Sequence, residues 1–351
     1  HKAAAAGSPD AAARLQMCRI AFAGIPGAEV SPMEMEREGK SYTADTIGIL
    51  REKYPEDELY LVVGTDMFLS FREWHEYKYL LDNCTLAVLS RETDDRGEIL
   101  SFKRSLENED GARIRLIEHE PLPMSSAEIR AMLPKAGGAE LLDDGVYSLI
   151  IKNRWYAAKP ELRWLREKVR PYLTEKRARH VAGCEEQAVK LARRWGADVY
   201  EAAEAGILHD ITKKLSDEEQ LIMCDKYGII LDAAERRNPR ILHARTGAAL
   251  ARELFGIPDG IYSAIRWHTT GKPDMSLMEK IIYLADFTEP TRDFEGVEPL
   301  RKLCFEDIDR AMELGLRMSL EEIRSRGEDA YKDTVDAYRW YKKEQGGSAT
   351  C

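Results

Sequence analysis

The chain has 351 residues, of which 44% are hydrophobic and 32% charged, with a formal net charge of −10. This size suits two ordinary domains with real cores, and no apolar run approaches the ~20 residues that would span a bilayer. The acidic balance argues against broad nucleic-acid binding, which depends on a basic surface, but a small phosphorylated molecule can still be held by a metal or a few Lys and Arg.

Residues 1–156 alternate between short apolar runs and helical patterns. Leu59–Val63, Thr85–Ser90 and Ile114–Glu118 read as strands, and Ala11–Ala23, Ala44–Lys53 and Ala127–Leu133 as helices. Alternation of this kind predicts a parallel α/β sheet. Residues 157–161, around Ala157-Ala158-Lys159-Pro160, read as a linker. Residues 162–345 carry apolar residues at three- and four-residue spacing, as in Val181, Cys184, Ala188, Leu191 and Ala192, and predict an all-α domain. The tail 346–351 reads as disordered. Six cysteines without a CxxC pair, in a chain without a secretory segment, read as reduced thiols in a cytoplasm.

The helical half contains four of the seven histidines, His180, His209, His243 and His268. His209 is followed directly by Asp210, and Asp286 ends the apolar run Ile281-Ile282-Tyr283-Leu284-Ala285. Imidazoles and carboxylates suit iron, manganese or zinc, and ligands from separate helices can converge inside a bundle. Any one of these residues alone is a common core or surface residue. Together they form one ordered series: His, His-Asp, His, His, Asp.

That series resembles the HD superfamily. The stretches Arg179-His180-Val181, Gly206-Ile207-Leu208-His209-Asp210-Ile211-Thr212-Lys213, Ile241-Leu242-His243-Ala244, Arg266-Trp267-His268-Thr269-Thr270-Gly271 and Glu279-Lys280-Ile281-Ile282-Tyr283-Leu284-Ala285-Asp286 are similar to the YqeK-type symmetrical bis(5′-nucleosyl)-tetraphosphatases. The resemblance implies a site for two divalent ions, iron, with manganese as the alternative, held by His180, His209, Asp210, His243, His268 and Asp286, with Asp210 bridging. It implies hydrolysis of diadenosine tetraphosphate to two ADP, with Asp210 and Lys213 catalytic and with Lys272 and Arg292 as further phosphate contacts.

The first half carries a second set. Ser41-Tyr42-Thr43-Ala44-Asp45-Thr46 opens a helix, Gly64-Thr65-Asp66 follows a strand, and Trp74-His75 lies further on. Ser125-Ser126-Ala127-Glu128-Ile129-Arg130 reads as a capping box, and a helix N-terminus with an adjacent Arg is a natural phosphate seat. In this order the motifs resemble nicotinate-nucleotide adenylyltransferase, the NadD family, with a Rossmann-like α/β fold. The resemblance places Thr43, Trp74 and His75 around nicotinate mononucleotide, Gly64 and Asp66 at the adenosine of ATP, and Ser126 and Arg130 at its phosphates, with Mg2+ accompanying ATP. His1-Lys2 looks like the end of that family's Pro-Pro-His-Lys segment. The family's His-x-Gly-His motif and first strand are expected before it, so the domain reads as incomplete, with an exposed sheet edge, and adenylyl transfer by this chain is expected to be poor.

Two enzyme readings follow. One is a fusion joining adenylyl transfer to hydrolysis. The other is a hydrolase whose first domain only binds a nucleotide or partner. A tRNA nucleotidyltransferase is disfavoured by the acidic charge and by the missing Gly-Ser and Asp-x-Asp features of that class. No nucleic-acid or membrane partner is expected, and a homodimer is compatible with the sequence.

Overall fold

The computed structural model describes residues 7–37, 39–89, 96–118, 120, 124–232, 235–236 and 238–346. His1-Lys2, Ser90 and the tail beyond Gly346 lie outside the described residues. The chain forms two compact units, divided between Ala131 and Met132.

The first unit is built on a three-stranded parallel sheet, β1 (Tyr60–Gly64), β2 (Thr85–Leu89) and β3 (Ile114–Ile117), in the order β1-β2-β3. Val62 pairs with Ala87, and Val88 with Leu116. The central strand, Thr-Leu-Ala-Val-Leu, is buried on both faces, which is why it reads as a continuous apolar run rather than an alternating one. Parallel neighbours need crossovers. Helices α3 (Thr65–Leu69) and α4 (Tyr77–Asn83) connect β1 to β2, and α5 (Arg96–Asp110) connects β2 to β3. They bury Phe68, Leu80 and Leu106, and the short turn between α3 and α4 buries Phe71, in one core with Leu86 and Val88 of the sheet. Helices α1 (Ala11–Phe22) and α2 (Thr43–Lys53) precede the sheet, and α6 (Ser126–Met132) follows it. The capping box opening α6 is present: the Glu128 carboxylate accepts from the Ser125 amide at 2.6 Å, and the Ser125 hydroxyl accepts from the Glu128 amide at 3.2 Å.

The second unit is helical, with no strand among its described residues. Its helices are α7 (Asp144–Asn153), α8 (Leu162–Val169), α9 (Glu175–Trp195), α10 (Val199–Leu208), α11 (Asp217–Lys226), α12 (Leu242–Phe255), α13 (Asp259–Trp267), α14 (Leu277–Thr288), α15 (Val297–Glu306), α16 (Ile308–Ser325) and α17 (Lys332–Gly346). None is long and apolar enough to cross a membrane. Helix α9 starts where the Thr174 side chain accepts from the Arg177 amide, and α10 where Asp198 accepts from two amides. The two helices touch at Gly206, where a Cβ would stand 2.8 Å from the Cα of Glu185. Only a glycine allows backbone to meet backbone at that point.

By packing, the second unit begins at Met132, ahead of the 157–161 stretch. Residues 132–156 pack with the helices, and 157–161 is not a free linker. Ala158 is 1% exposed, and the Lys159 amide donates to the Leu133 carbonyl at 2.9 Å. The Arg154 guanidinium donates to the Phe255 and Gly256 carbonyls at 3.0 Å and to the carboxylate of Glu204, which is 1% exposed. Trp164 donates to Asp144 at 2.9 Å and meets Tyr147 edge-on, with ring centroids 5.0 Å apart. The side chains that tie this region, Arg154 and Trp164, flank the Ala157-Ala158-Lys159-Pro160 stretch on either side.

Burial pushes the Glu204 carboxyl above its ordinary value, and Arg154 pulls it back down. An acid whose folded pKa is raised loses stability as pH climbs from its unfolded value, ~4.3, through the folded one. Arg154→Ala removes the opposing pull and is expected to cost about 3 kcal/mol at neutral pH. The cost should shrink toward acid pH, where Glu204 stays neutral. Urea unfolding at mildly acidic and mildly alkaline pH checks this, and an equal cost at both would contradict it.

Candidate metal centre

Five helices deliver the six expected ligands to one place. His180 lies in α9, His209 and Asp210 follow the last turn of α10, His243 opens α12, His268 caps α13, and Asp286 lies in α14. All four histidines and Asp210 are buried. Small and apolar neighbours such as Ala205, Gly206, Ile265 and Ile282 let these helix ends come together without competing polar groups.

Each imidazole turns Nε2 inward because Nδ1 is engaged elsewhere. His209 Nδ1 lies 2.7 Å from the Gly206 carbonyl, His243 Nδ1 2.7 Å from that of Arg240, and His268 Nδ1 2.7 Å from that of Ile265. In all three the acceptor belongs to the residue three positions back, which is the geometry of a helix end. His180, inside its helix, uses the Glu289 carboxylate at 3.1 Å instead. Partners of this kind fix the ring orientation and tautomer of metal-binding histidines.

The Nε2 atoms fall into two pairs. Those of His180 and His209 are 3.3 Å apart, and those of His243 and His268 are 3.2 Å apart. Asp210 lies between the pairs. Its Oδ2 is 3.6 and 3.4 Å from His180 and His209, while its Oδ1 is 3.5 and 3.7 Å from His243 and His268. Two sets of potential metal-binding atoms therefore share one carboxylate: His180, His209 and Asp210, and Asp210, His243 and His268. Asp286 Oδ1 joins the first set, 3.0 Å from His180 Nε2. The donors are imidazole nitrogens and carboxylate oxygens at spacings a divalent ion could occupy, so the residues present fit two such ions.

Burial opposes ionisation of Asp210, but His209, with His268 and His243, outweighs it and holds the carboxyl well below the usual carboxylate range. Asp286 is likewise held low against burial by His180 and Arg292. Burial lowers the Lys213 ammonium, whose Nζ lies 3.2 Å from His243 Nε2.

A cavity of about 620 Å³ opens beside the ligands, lined by Lys213, His268, Asp286 and Arg292 and walled further out by Phe287 and Phe294. Arg292 also donates to Asp286 Oδ1 at 2.7 Å. Lys272 does not line it. Glu279, 2% exposed, takes the Lys272 ammonium at 3.2 Å. Three contributors were not read from the sequence: Glu289, Arg177, which donates to Asp210 Oδ2 at 2.7 Å, and Thr269, whose hydroxyl is 3.1 Å from His243 Nε2. Arg177 stands one turn before His180 and Glu289 directly follows the last helical turn after Asp286. Their adjacency to ligands was the only available signal.

In the first unit Thr43 opens α2 and Trp74 follows a short turn, both half-buried. The Tyr42 ring lies 4.1 Å from that of His75, which brings Thr43, Trp74 and His75 into one neighbourhood. Trp74 also rests on Phe71, with centroids 5.0 Å apart, so part of its surface belongs to the core. Gly64 ends β1 and Asp66 is exposed in α3, at the carboxyl end of the strand. Ser126 and Arg130 are exposed on α6.

Comparison with known proteins agrees with this geometry. The model of the HD domain matches residues 177–291. A Bacillus subtilis protein named "Bis(5'-nucleosyl)-tetraphosphatase, symmetrical" is 38% identical over 176 residues, 49% of this chain and 92% of the relative. A Mycoplasma genitalium protein named "Probable nicotinate-nucleotide adenylyltransferase/Ap4A hydrolase" is 24% identical over 311 residues, 87% of this chain and 82% of the relative. The crystal structure of a Clostridium acetobutylicum protein, described as a predicted HD superfamily hydrolase involved in NAD metabolism, covers 51% of this chain and 96% of its own, with 35% identity and a TM-score of 0.50. Through its helical unit, whose buried His and Asp ligands meet around a shared carboxylate, the chain belongs to the family of symmetrical bis(5′-nucleosyl)-tetraphosphatases.

Proposed function

We propose that the helical unit hydrolyses diadenosine tetraphosphate to two ADP, using two divalent ions of one kind, iron, with manganese as the alternative. The observation that carries this reading is the Asp210 carboxylate, with one oxygen in each of two histidine sets. When bound, the ions supply an acidified water as nucleophile and neutralise charge on the phosphate. The protein's own part is positional. His180, His209 and Asp286 would hold one ion, His243 and His268 the other, and Asp210 would hold both.

Lys213 and Arg292 line the cavity next to these ligands and are set to bind phosphate oxygens as charge shifts during cleavage. Arg292 offers a planar fork of donors, and Lys213 a point charge drawn in toward the ligand atoms. A cavity of about 620 Å³ is large enough for one nucleoside diphosphate half, with Phe287 and Phe294 as apolar wall for the base. Lys272, committed to Glu279, takes no part in this reading.

The first unit is proposed to be a Rossmann-like nucleotidylyltransferase domain that binds ATP with Mg2+ and nicotinate mononucleotide. Its parallel sheet, the placement of Gly64 and Asp66 at a strand end, and the clustering of Thr43, Trp74 and His75 support this.

His209→Ala or Asp210→Ala should abolish release of ADP from diadenosine tetraphosphate, followed by anion-exchange chromatography, while circular dichroism shows the fold retained. Full turnover in either variant at wild-type metal content would reject the site. Lys213→Ala, assayed at saturating metal, should lower kcat/KM about a hundredfold, and a wild-type rate would remove Lys213 from the phosphate-binding role. In the first unit, Arg130→Ala should weaken ATP binding about tenfold by calorimetry, and unchanged affinity would count against a phosphate seat on α6.

A further inference from the structure

The two ligand sets are built differently. The first has Asp286 entirely to itself besides its share of Asp210, whereas the second has only the shared carboxylate. Cations offset this in part. Arg177 pairs with Asp210 Oδ2 and Arg292 with Asp286 Oδ1, each at 2.7 Å on the first side. On the second side Lys213 Nζ faces a ligand atom directly, 3.2 Å from His243 Nε2, where a positive charge competes with an ion for the same lone pair.

The support behind the imidazoles also differs. His209, His243 and His268 lean on neutral backbone carbonyls, while His180 alone leans on a carboxylate. That carboxylate belongs to Glu289, which is 0% exposed and is fixed in turn by the Thr291 amide, donating at 2.6 Å, and the Thr291 hydroxyl. Helix α9 makes room for it at Gly183, where a Cβ would lie 2.4 Å from Glu289 Oε2. A carboxylate on Nδ1 makes the opposite nitrogen a stronger metal ligand.

We infer that Glu289 makes the two metal positions unequal: the His180–His209–Asp210–Asp286 position binds its ion tightly, and the Asp210–His243–His268 position binds weakly and exchanges. This rests on the two-ion reading of the site. Glu289 acts through His180 and is therefore a positioning residue.

The test is an anaerobic titration of the full chain, stripped by chelator, with Mn2+. Free Mn2+ is read by electron paramagnetic resonance and bound Mn2+ by elemental analysis. Wild type should take two ions per chain in two steps separated by about tenfold or more in affinity. Glu289→Gln should weaken the first step about ten- to a hundredfold and leave the second in place. His243→Ala should delete the second step and leave the first. Circular dichroism melts confirm that each variant is folded. Should Glu289→Gln fail to fold, Thr291→Val, which removes one donor to the same carboxylate, carries the same expectation at smaller size. Two ions entering in a single step of equal affinity would overturn the inference, as would a Glu289 variant with both steps unchanged. One ion at saturation in wild type would instead remove the two-ion reading itself.

Discussion

The helical unit depends on sharing the Asp210 carboxylate. A buried carboxylate without partners is strongly unfavourable, and this one, 2% exposed, is surrounded by four imidazoles and the Arg177 guanidinium. Its two oxygens address different histidine pairs, so its placement sets the spacing of both. Helix α10 must end at the preceding residue, α12 must begin beside it, and α9 and α14 must approach from the other side. The backbone contact at Gly206, three residues before His209, holds α9 and α10 in that relation. Replacing a histidine would remove one ligand, whereas replacing Asp210 would remove the element common to all.

Much of this was legible in the sequence, for a physical reason. Three of the four histidines sit at helix ends and repeat one local device, a ring nitrogen on the carbonyl three residues back. Such positions leave a short sequence trace, a His at the edge of an apolar helical run. The strands of the first unit were legible to within about one residue because β2 is an unbroken apolar run and its neighbours are bounded by polar turns.

What was not legible depends on tertiary distance. Glu289 reaches His180 across 109 residues of sequence, and Arg177 reaches Asp210 across 33. Arg177 has no local mark that separates it from a solvated charge, and Glu289, in the stretch Glu289-Pro290-Thr291-Arg292 just after Asp286, has no local mark of its partner. Lys272 shows the converse: it stands beside His268 in sequence, and in space its ammonium meets the buried Glu279 at 3.2 Å. In sequence α7 reads as the last helix of an α/β pattern, while in space Tyr147 and Arg154, on and after it, bond to the helical unit.

The Arg154 anchor bears on how such a chain can be divided by a protease, by recombination or by an engineer. A cut at 157–161 would strand the counter-charge of Glu204 on one fragment and open the seam where Tyr147 and Trp164 interlock. A cut near α6, where Ser126 and its neighbours are exposed, would leave those contacts whole within the helical unit. A shuffled gene that trimmed α7 would therefore inherit the metal-binding side chains without the Arg154–Glu204 tie and the Tyr147–Trp164 contact.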